Sequence, residues 1–126
     1  MIQVETTVIS DNCTAWRDRL REHREKLNDC QHQLQQLAAR ELTTDQLRDL
    51  EQLHNQFHVQ LVNIHDLKHS IKTHLKKTDF EFNVKNGHLN DDTLAEHEVL
   101  LTRYSGLEER LQELQDRFTR FVKKVR

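Results

Sequence analysis

Residues 47–75 read LRDLEQLHNQFHVQLVNIHDLKHSIKTHL, and this stretch decides the fold. Alternating steps of three and four residues select Leu47, Leu50, His54, Phe57, Leu61, Ile64, Lys68, Ile71 and Leu75. Most of these side chains are apolar, and only an α-helix with about 3.6 residues per turn brings them onto one stripe. Such a helix is roughly 45 Å long at about 1.5 Å per residue. A stripe of that length needs partner helices to cover it.

Two further stretches carry the same heptad spacing, one on each side of the first. The N-terminal series is Ile2, Thr6, Ile9, Cys13, Trp16, Leu20, His23, Leu27, Cys30, Leu34 and Leu37. The C-terminal series is Leu94, His97, Leu101, Tyr104, Leu107, Leu111, Leu114, Phe118, Phe121 and Val125. The pattern predicts three helices, at about residues 4–40, 43–77 and 90–125.

Local signals place the helix ends. Thr43 and Gln46 fit a capping box at the start of the second helix, and the residues 90–92 form an N-cap cluster for the third. In the segment 78–88, Phe80 and Phe82 alternate with polar residues ahead of an Asn-Gly turn signal. We predict an ordered loop there, with both phenylalanines packed against the end of the bundle. The alternative is a strand that binds a groove or pairs with a second copy.

Three long helices with short connections predict a single domain over residues 1–126. Its fold class is all-α, an antiparallel left-handed three-helix bundle. An extended dimeric coiled coil is the alternative, but breaks near residues 41 and 83 divide the chain into arms of similar length, as folding back requires. The predicted structural core is Trp16, Leu20, Leu27, His54, Phe57, Leu61, Ile64, Leu101, Tyr104, Leu107, Leu111 and Phe118.

Composition excludes several classes of function. The 126 residues include 19 Lys and Arg against 21 Asp and Glu, which leaves a net charge of −2 and no field to attract nucleic acid. Apolar runs are too short for direct membrane insertion, and the start at Met1 lacks a basic region followed by an apolar one, so we expect no signal peptide. Cys13 and Cys30 lie on one helix roughly 25 Å apart, so we predict reduced core cysteines of a cytosolic protein. An intermolecular disulfide is the alternative.

The sequence contains no motif for catalysis or for cofactor binding. It lacks a glycine-rich phosphate loop, a Cys-x-x-Cys pair and a nucleophile with a convincing base, so we predict no enzyme and no cofactor. The histidine pairs 54/58 and 65/69 have a spacing that can hold a metal, but two histidines do not complete a zinc site, and we predict none. Instead, His23, His54 and His97 are expected to lie buried and to make the bundle acid-sensitive.

The placed helices resemble a spectrin repeat. Members of that family carry a tryptophan in the first helix, a His-x-x-Phe pattern in the second and an Arg-Trp-x-x-Leu pattern in the third. The matching residues here are Trp16, His54, Phe57, Leu61, Arg103, Tyr104 and Leu107. Tyrosine replaces the tryptophan of the third helix, and the span from Trp16 to Tyr104 is longer than usual. The chain is therefore similar to the divergent repeats of nesprins, dystrophin relatives and plakins.

This resemblance implies a non-enzymatic spacer and protein-docking surface in a cytoskeletal scaffold or linker protein. Expected partners are adjacent repeats and cytoskeletal or nuclear-envelope scaffold proteins, bound through helix faces, with the isolated domain monomeric. The expected location is the cytoplasm, at the cytoskeleton or the outer face of the nuclear envelope. The first apolar series already runs at Ile2 and the last helix reaches Val125, so we expect one unit of a longer array. The alternative is a self-associating coiled-coil adaptor of vesicle or organelle trafficking.

Overall fold

Three long helices form the molecule, and they confirm the predicted all-α three-helix bundle. The structure is a computed structural model that describes the backbone of residues 2–126 and the side chains of residues 6–126. Helix α1 spans Ile2–Ala38, α2 spans Thr44–Val84 and α3 spans Asp91–Val125. The side chain of Ile2, which the sequence places in the first apolar series, lies outside the described residues. None of the described helices is long and apolar enough to cross a membrane.

Contacts between helices give their directions. Asn12 of α1 meets His97 of α3, and His23 meets Glu108 further along both helices, so α1 and α3 run in the same direction. Lys77 of α2 meets Glu96 of α3, while Ser70 meets Arg103, so α2 runs the opposite way. The path is therefore up, down and up.

The start of α2 is built as its sequence predicts. The Thr43 hydroxyl accepts a hydrogen bond from the Gln46 amide at 3.1 Å, and the Gln46 side-chain oxygen accepts one from the Thr43 amide at 3.0 Å. This reciprocal pair is a capping box, which satisfies two amides that have no partner inside the helix.

The predicted loop over 78–88 is wrong over its first half. Helix α2 continues to Val84, because Thr78 and Glu81 extend its buried stripe with side chains that are 0% and 5% exposed. Phe80 points outward and is 66% exposed, so it does not pack against the bundle end. The turn itself is present: Asn86 and Gly87 have φ of 54° and 90°, and the Gly87 amide closes the helix by donating to the Phe82 carbonyl.

The core contains most of the predicted residues, but not all. Trp16, Leu20, Leu27, Phe57, Ile64, Leu107, Leu111 and Phe118 are buried. Leu61 and Tyr104 are half-buried and pack against that core. The prediction is wrong at His54 and Leu101, which are exposed, while their neighbours Leu53 and Leu100 are buried.

These errors share one physical cause. A heptad has two core positions, which are separated by alternating steps of three and four residues. Two stripes can therefore share the first position and differ by one residue at the second. In α2 the shared position falls at Leu50, Phe57, Ile64 and Ile71. The second core position of α2 falls at Leu53, Gln60, Leu67 and His74. The sequence pattern instead favoured positions one residue later, because Leu61 and Leu75 are more hydrophobic than Gln60 and His74. The predicted heptad period of α2 was right, but its second core position was placed one residue too late.

Candidate functional site: a buried polar layer

Six buried side chains with polar or sulfur-containing groups gather where α2 ends and α3 begins, and we call them the polar layer. Its members are Cys13, His74, Thr78, Glu81, Thr93 and His97. All are at most 6% exposed. Burial of such groups costs free energy unless they find partners, so their contacts determine what this layer can do.

The two histidines face each other across the α2–α3 interface. His74 Nε2 lies 3.1 Å from His97 Nδ1, and the two rings stack with centroids 5.2 Å apart. On the α1 side, the Trp16 ring stacks on His97 at 5.0 Å and on Tyr104 at 5.5 Å. The predicted core residue Trp16 thus lies against this pair, and Tyr104 lies against Trp16. His74 is the member of the pair that sequence reasoning missed.

The neighbouring amide decides where the ring protons lie. Asn12 Nδ2 lies 3.1 Å from His97 Nε2 and, as an amide nitrogen, can only donate. With the amide in this orientation, His97 carries its proton on Nδ1 and donates it to His74 Nε2. His74 must then carry its own proton on Nδ1. That nitrogen is buried and has no hydrogen-bond partner among the described residues, and the Glu96 carboxylate is 3.8 Å away.

Burial favours the neutral form of both histidines. Burial lowers the pKa of His74, with Glu96 acting against this effect and Lys77 adding to it. Burial also lowers the pKa of His97, and the adjacent His74 lowers it further while Glu98 raises it. Neutral imidazoles keep a lone pair available, which is the form that binds metals.

Cys13 completes a set of three metal-ligating side chains. Its sulfur and one ring nitrogen from each of His74 and His97 all lie within 4.8 Å of one another. Burial raises the pKa of the Cys13 thiol to about 11, with Asp79 raising it further and Arg17 opposing. Cys30 is also buried, and both cysteines are free, as the sequence predicts.

Glu81 joins the polar layer to the start of α3. One carboxylate oxygen accepts the Asn90 amide at 2.9 Å, and the other accepts the Thr93 hydroxyl at 2.6 Å. Burial alone would raise the pKa of Glu81, but these hydrogen bonds and nearby lysines hold it below its usual value. Asn90 is the N-cap residue as predicted, yet its own side chain does not cap the helix. It accepts a hydrogen bond from Lys85 instead.

A second polar contact ties α1 to α3 outside the polar layer. Glu108 lies 3.0 Å from His23 Nε2 and 3.7 Å from Arg19 Nε, and it accepts a hydrogen bond from the Tyr104 hydroxyl. Burial and the Glu108 carboxylate raise the pKa of Tyr104 to about 12. The prediction that His23 is buried is therefore only partly right, because its side chain is 16% exposed.

The histidine pairs that stand out in the sequence lie elsewhere. His54, His58, His65 and His69 are all exposed on the outer face of α2. The residues that come together are far apart in the chain, and only the packing of three helices unites them. Cys13 and His97 both lay on the predicted stripes, so a correct phase for α2 would have placed His74 beside them.

Comparison with known proteins gives no match: no family model, curated protein or solved structure is significantly similar to this chain.

Proposed function

We propose that this chain is a non-enzymatic helical module that acts as a spacer and a protein-docking surface in a cytoskeletal scaffold of the cytoplasm. The direction of the three helices is the observation that supports this function most. The start of α1 and the end of α3 lie at opposite ends of the bundle, because the path is up, down and up. Helices of 37, 41 and 35 residues hold those ends about 50 Å apart. The resemblance to spectrin repeats points to the same role.

The outer helix faces supply surface for docking. Large apolar side chains project from α2 and α3 with 45–66% of their area exposed, namely Val59, Val62, Phe80, Val84 and Val99. A partner helix laid along such residues would bury apolar area that the bundle leaves in water.

Solution mass and shape test the proposal. Sedimentation should give a monomer of 15.2 kDa, and small-angle scattering should give a maximum dimension of about 60 Å, the length of α2. A stable dimer would instead favour the self-associating coiled-coil adaptor, since such an adaptor needs a second copy to cover its apolar faces.

A tandem of two copies tests the spacer role directly. The copies are joined so that α3 of the first continues as one helix into α1 of the second, and a Gly/Ser-linked tandem is the control. The continuous tandem should be a rod of nearly twice the single length with a narrow distance distribution. If it is no more extended than the flexible control, the spacer proposal is wrong.

A further inference from the structure

Each of the three helices contributes one metal-ligating side chain to the polar layer. Cys13 comes from α1, His74 from α2 and His97 from α3, and their donor atoms lie within 4.8 Å of one another. A tetrahedral ion bound at about 2.0–2.3 Å from nitrogen and sulfur requires donors roughly 3.3–3.6 Å apart. The two ring nitrogens are already 3.1 Å apart. Small side-chain rotations therefore bring all three donors to one ion.

One buried ring nitrogen beside these three donors lacks a hydrogen-bond partner in the described part of the chain. His74 Nδ1 has no hydrogen-bond partner among the described residues, although the Glu96 carboxylate lies 3.8 Å away. Ligating histidines in metal sites commonly donate their second ring N–H to a carboxylate or another oxygen. If His74 binds an ion through Nε2, its Nδ1–H faces Glu96 in that manner. The Asn12 amide, turned over, accepts the Nε2–H of His97 on its oxygen.

We propose that Cys13, His74 and His97 form a buried site for one d10 transition-metal ion, zinc(II) or copper(I), bound through Cys13 Sγ, His74 Nε2 and His97 Nδ1. One thiolate and two neutral imidazoles are a donor set that both ions accept. Binding breaks the S–H bond of Cys13, forms the metal–sulfur bond and releases the thiol proton to solvent, while the His97 proton moves from Nδ1, which then binds the ion, to Nε2. The ion links all three helices at one end of the bundle.

Cobalt(II) is the first probe, because its spectrum reports both geometry and sulfur ligation. The full chain, stripped with a chelator, is titrated with cobalt(II) under reducing conditions. We expect saturation at one equivalent, a thiolate-to-cobalt charge-transfer band and the intense visible bands of a tetrahedral site. Zinc(II) should abolish these bands at one equivalent if it binds more tightly. A parallel anaerobic titration with copper(I) against a colorimetric competitor shows which of the two ions the site prefers.

Matched variants test the three ligands. Cys13→Ser, His74→Gln and His97→Gln should each weaken binding at least tenfold, and Cys13→Ser should also remove the charge-transfer band. Cys30→Ser changes a buried thiol outside the site, and His54→Gln combined with His58→Gln changes an exposed pair; both should bind as the wild type does. Helicity by circular dichroism is checked for every variant. Binding that survives Cys13→Ser and is lost in the exposed-pair variant would overturn the proposal.

One measurement needs no variant, and so it decides the question even if a ligand substitution prevents folding. X-ray absorption of the zinc-loaded wild-type chain should show one sulfur at about 2.3 Å and two imidazoles at about 2.0 Å. A first shell without sulfur would mean that the ion is held at the surface, and the proposal would be wrong. Absence of binding by all three ions would overturn it equally.

Discussion

The two ends of the bundle have the same heptad spacing but opposite chemistry. At the end away from the polar layer, Leu34, Leu53, Phe57, Leu114 and Phe118 form an apolar half in which the Phe57 and Phe118 rings meet edge to face at 5.5 Å. At the other end, the polar layer occupies equivalent positions. Apolar burial stabilises in proportion to area and has little directional preference. Polar groups stabilise only where every partner is in place.

The difference shows how this bundle fixes its register. If α3 slid by one heptad along α2, the apolar half would exchange one large side chain for another at modest cost. The polar layer would lose far more, because Glu81 and His74 would be buried without Thr93 and His97. We infer that the apolar half supplies most of the stability and that the polar layer sets the alignment of the helices.

The largest expected effect comes from the apolar half. Phe57 is 0% exposed, so Phe57→Ala should lower the free energy of unfolding by about 3–5 kcal/mol, the usual cost of truncating a buried aromatic. Phe80→Ala on the same helix removes the same atoms from a side chain that is 66% exposed, and its effect should stay within about 0.5 kcal/mol. Urea titrations of both variants measure this contrast. Equal losses would mean that α2 is rotated relative to the described packing.

Acid should act selectively on the polar layer. The folded pKa values of His74 and His97 lie below the unfolded value, so the folded state binds fewer protons. Stability is then complete above about pH 6.5 and falls as the pH drops below it, by at most about 1.4 kcal/mol per pH unit for each histidine. Besides the two rings themselves, the charged groups that shift these pKa values are Glu96, Lys77 and Glu81 for His74 and Glu98 for His97, and Cys13 Sγ lies within 4.8 Å of both rings. The pKa of Glu81 is lowered, so its own contribution is lost only at more acidic pH.

Urea titrations of chelator-treated protein at pH 7.5 and pH 5.5 measure the loss. The control is His54→Gln, which changes an exposed histidine of α2 and should lose as much stability as the wild type. If the wild type is equally stable at both pH values, the two histidines are not buried in neutral form.

Glu81 tests the junction between α2 and α3. Glu81→Ala removes the acceptor for the Asn90 amide and the Thr93 hydroxyl, and leaving such donors unpaired costs about 1–3 kcal/mol. Glu81→Gln keeps one acceptor oxygen and should lose less. Glu51→Ala, at an exposed position of α2, is the control and should change stability by less than about 0.5 kcal/mol. Thermal melts at pH 7 rank the three variants, and a loss for Glu81→Ala no larger than the control would contradict the described hydrogen bonds.

The same contrast between the two ends explains what the sequence could predict. Helix number, the capping box at Thr43 and the core of α1 follow from local spacing, and so does most of the apolar half. The buried residues that the sequence pattern missed cluster at the polar layer, whereas the wrong placement of His54 lies beside Leu53 in the apolar half. His74, Thr78, Glu81 and Thr93 occupy core positions without being apolar, so a pattern of hydrophobicity passes over them. Hydrogen bonds between helices permit the burial of most of them: His74 pairs with His97, 23 residues away in the chain, and Glu81 pairs with Thr93, 12 residues away. No local rule identifies those partners.

The smallest effect is expected from removing the histidine pair altogether. In the chelator-treated protein, His74→Leu alone leaves the His97 Nδ1–H without an acceptor, and His97→Leu alone leaves His74 Nε2 without a donor. Each should cost about 1–3 kcal/mol. The double variant leaves neither ring group unpaired and replaces the histidine pair with two apolar side chains, so its stability at pH 7.5 should lie within about 1 kcal/mol of the wild type. A double-mutant cycle by urea titration measures the coupling, and His54→Leu controls for adding a leucine to α2. The double variant should also lose less stability than the wild type between pH 7.5 and pH 5.5. If instead the stability losses of the two single variants simply add, the histidines do not interact. The polar layer would then be a set of independent buried groups rather than one cluster that aligns the helices.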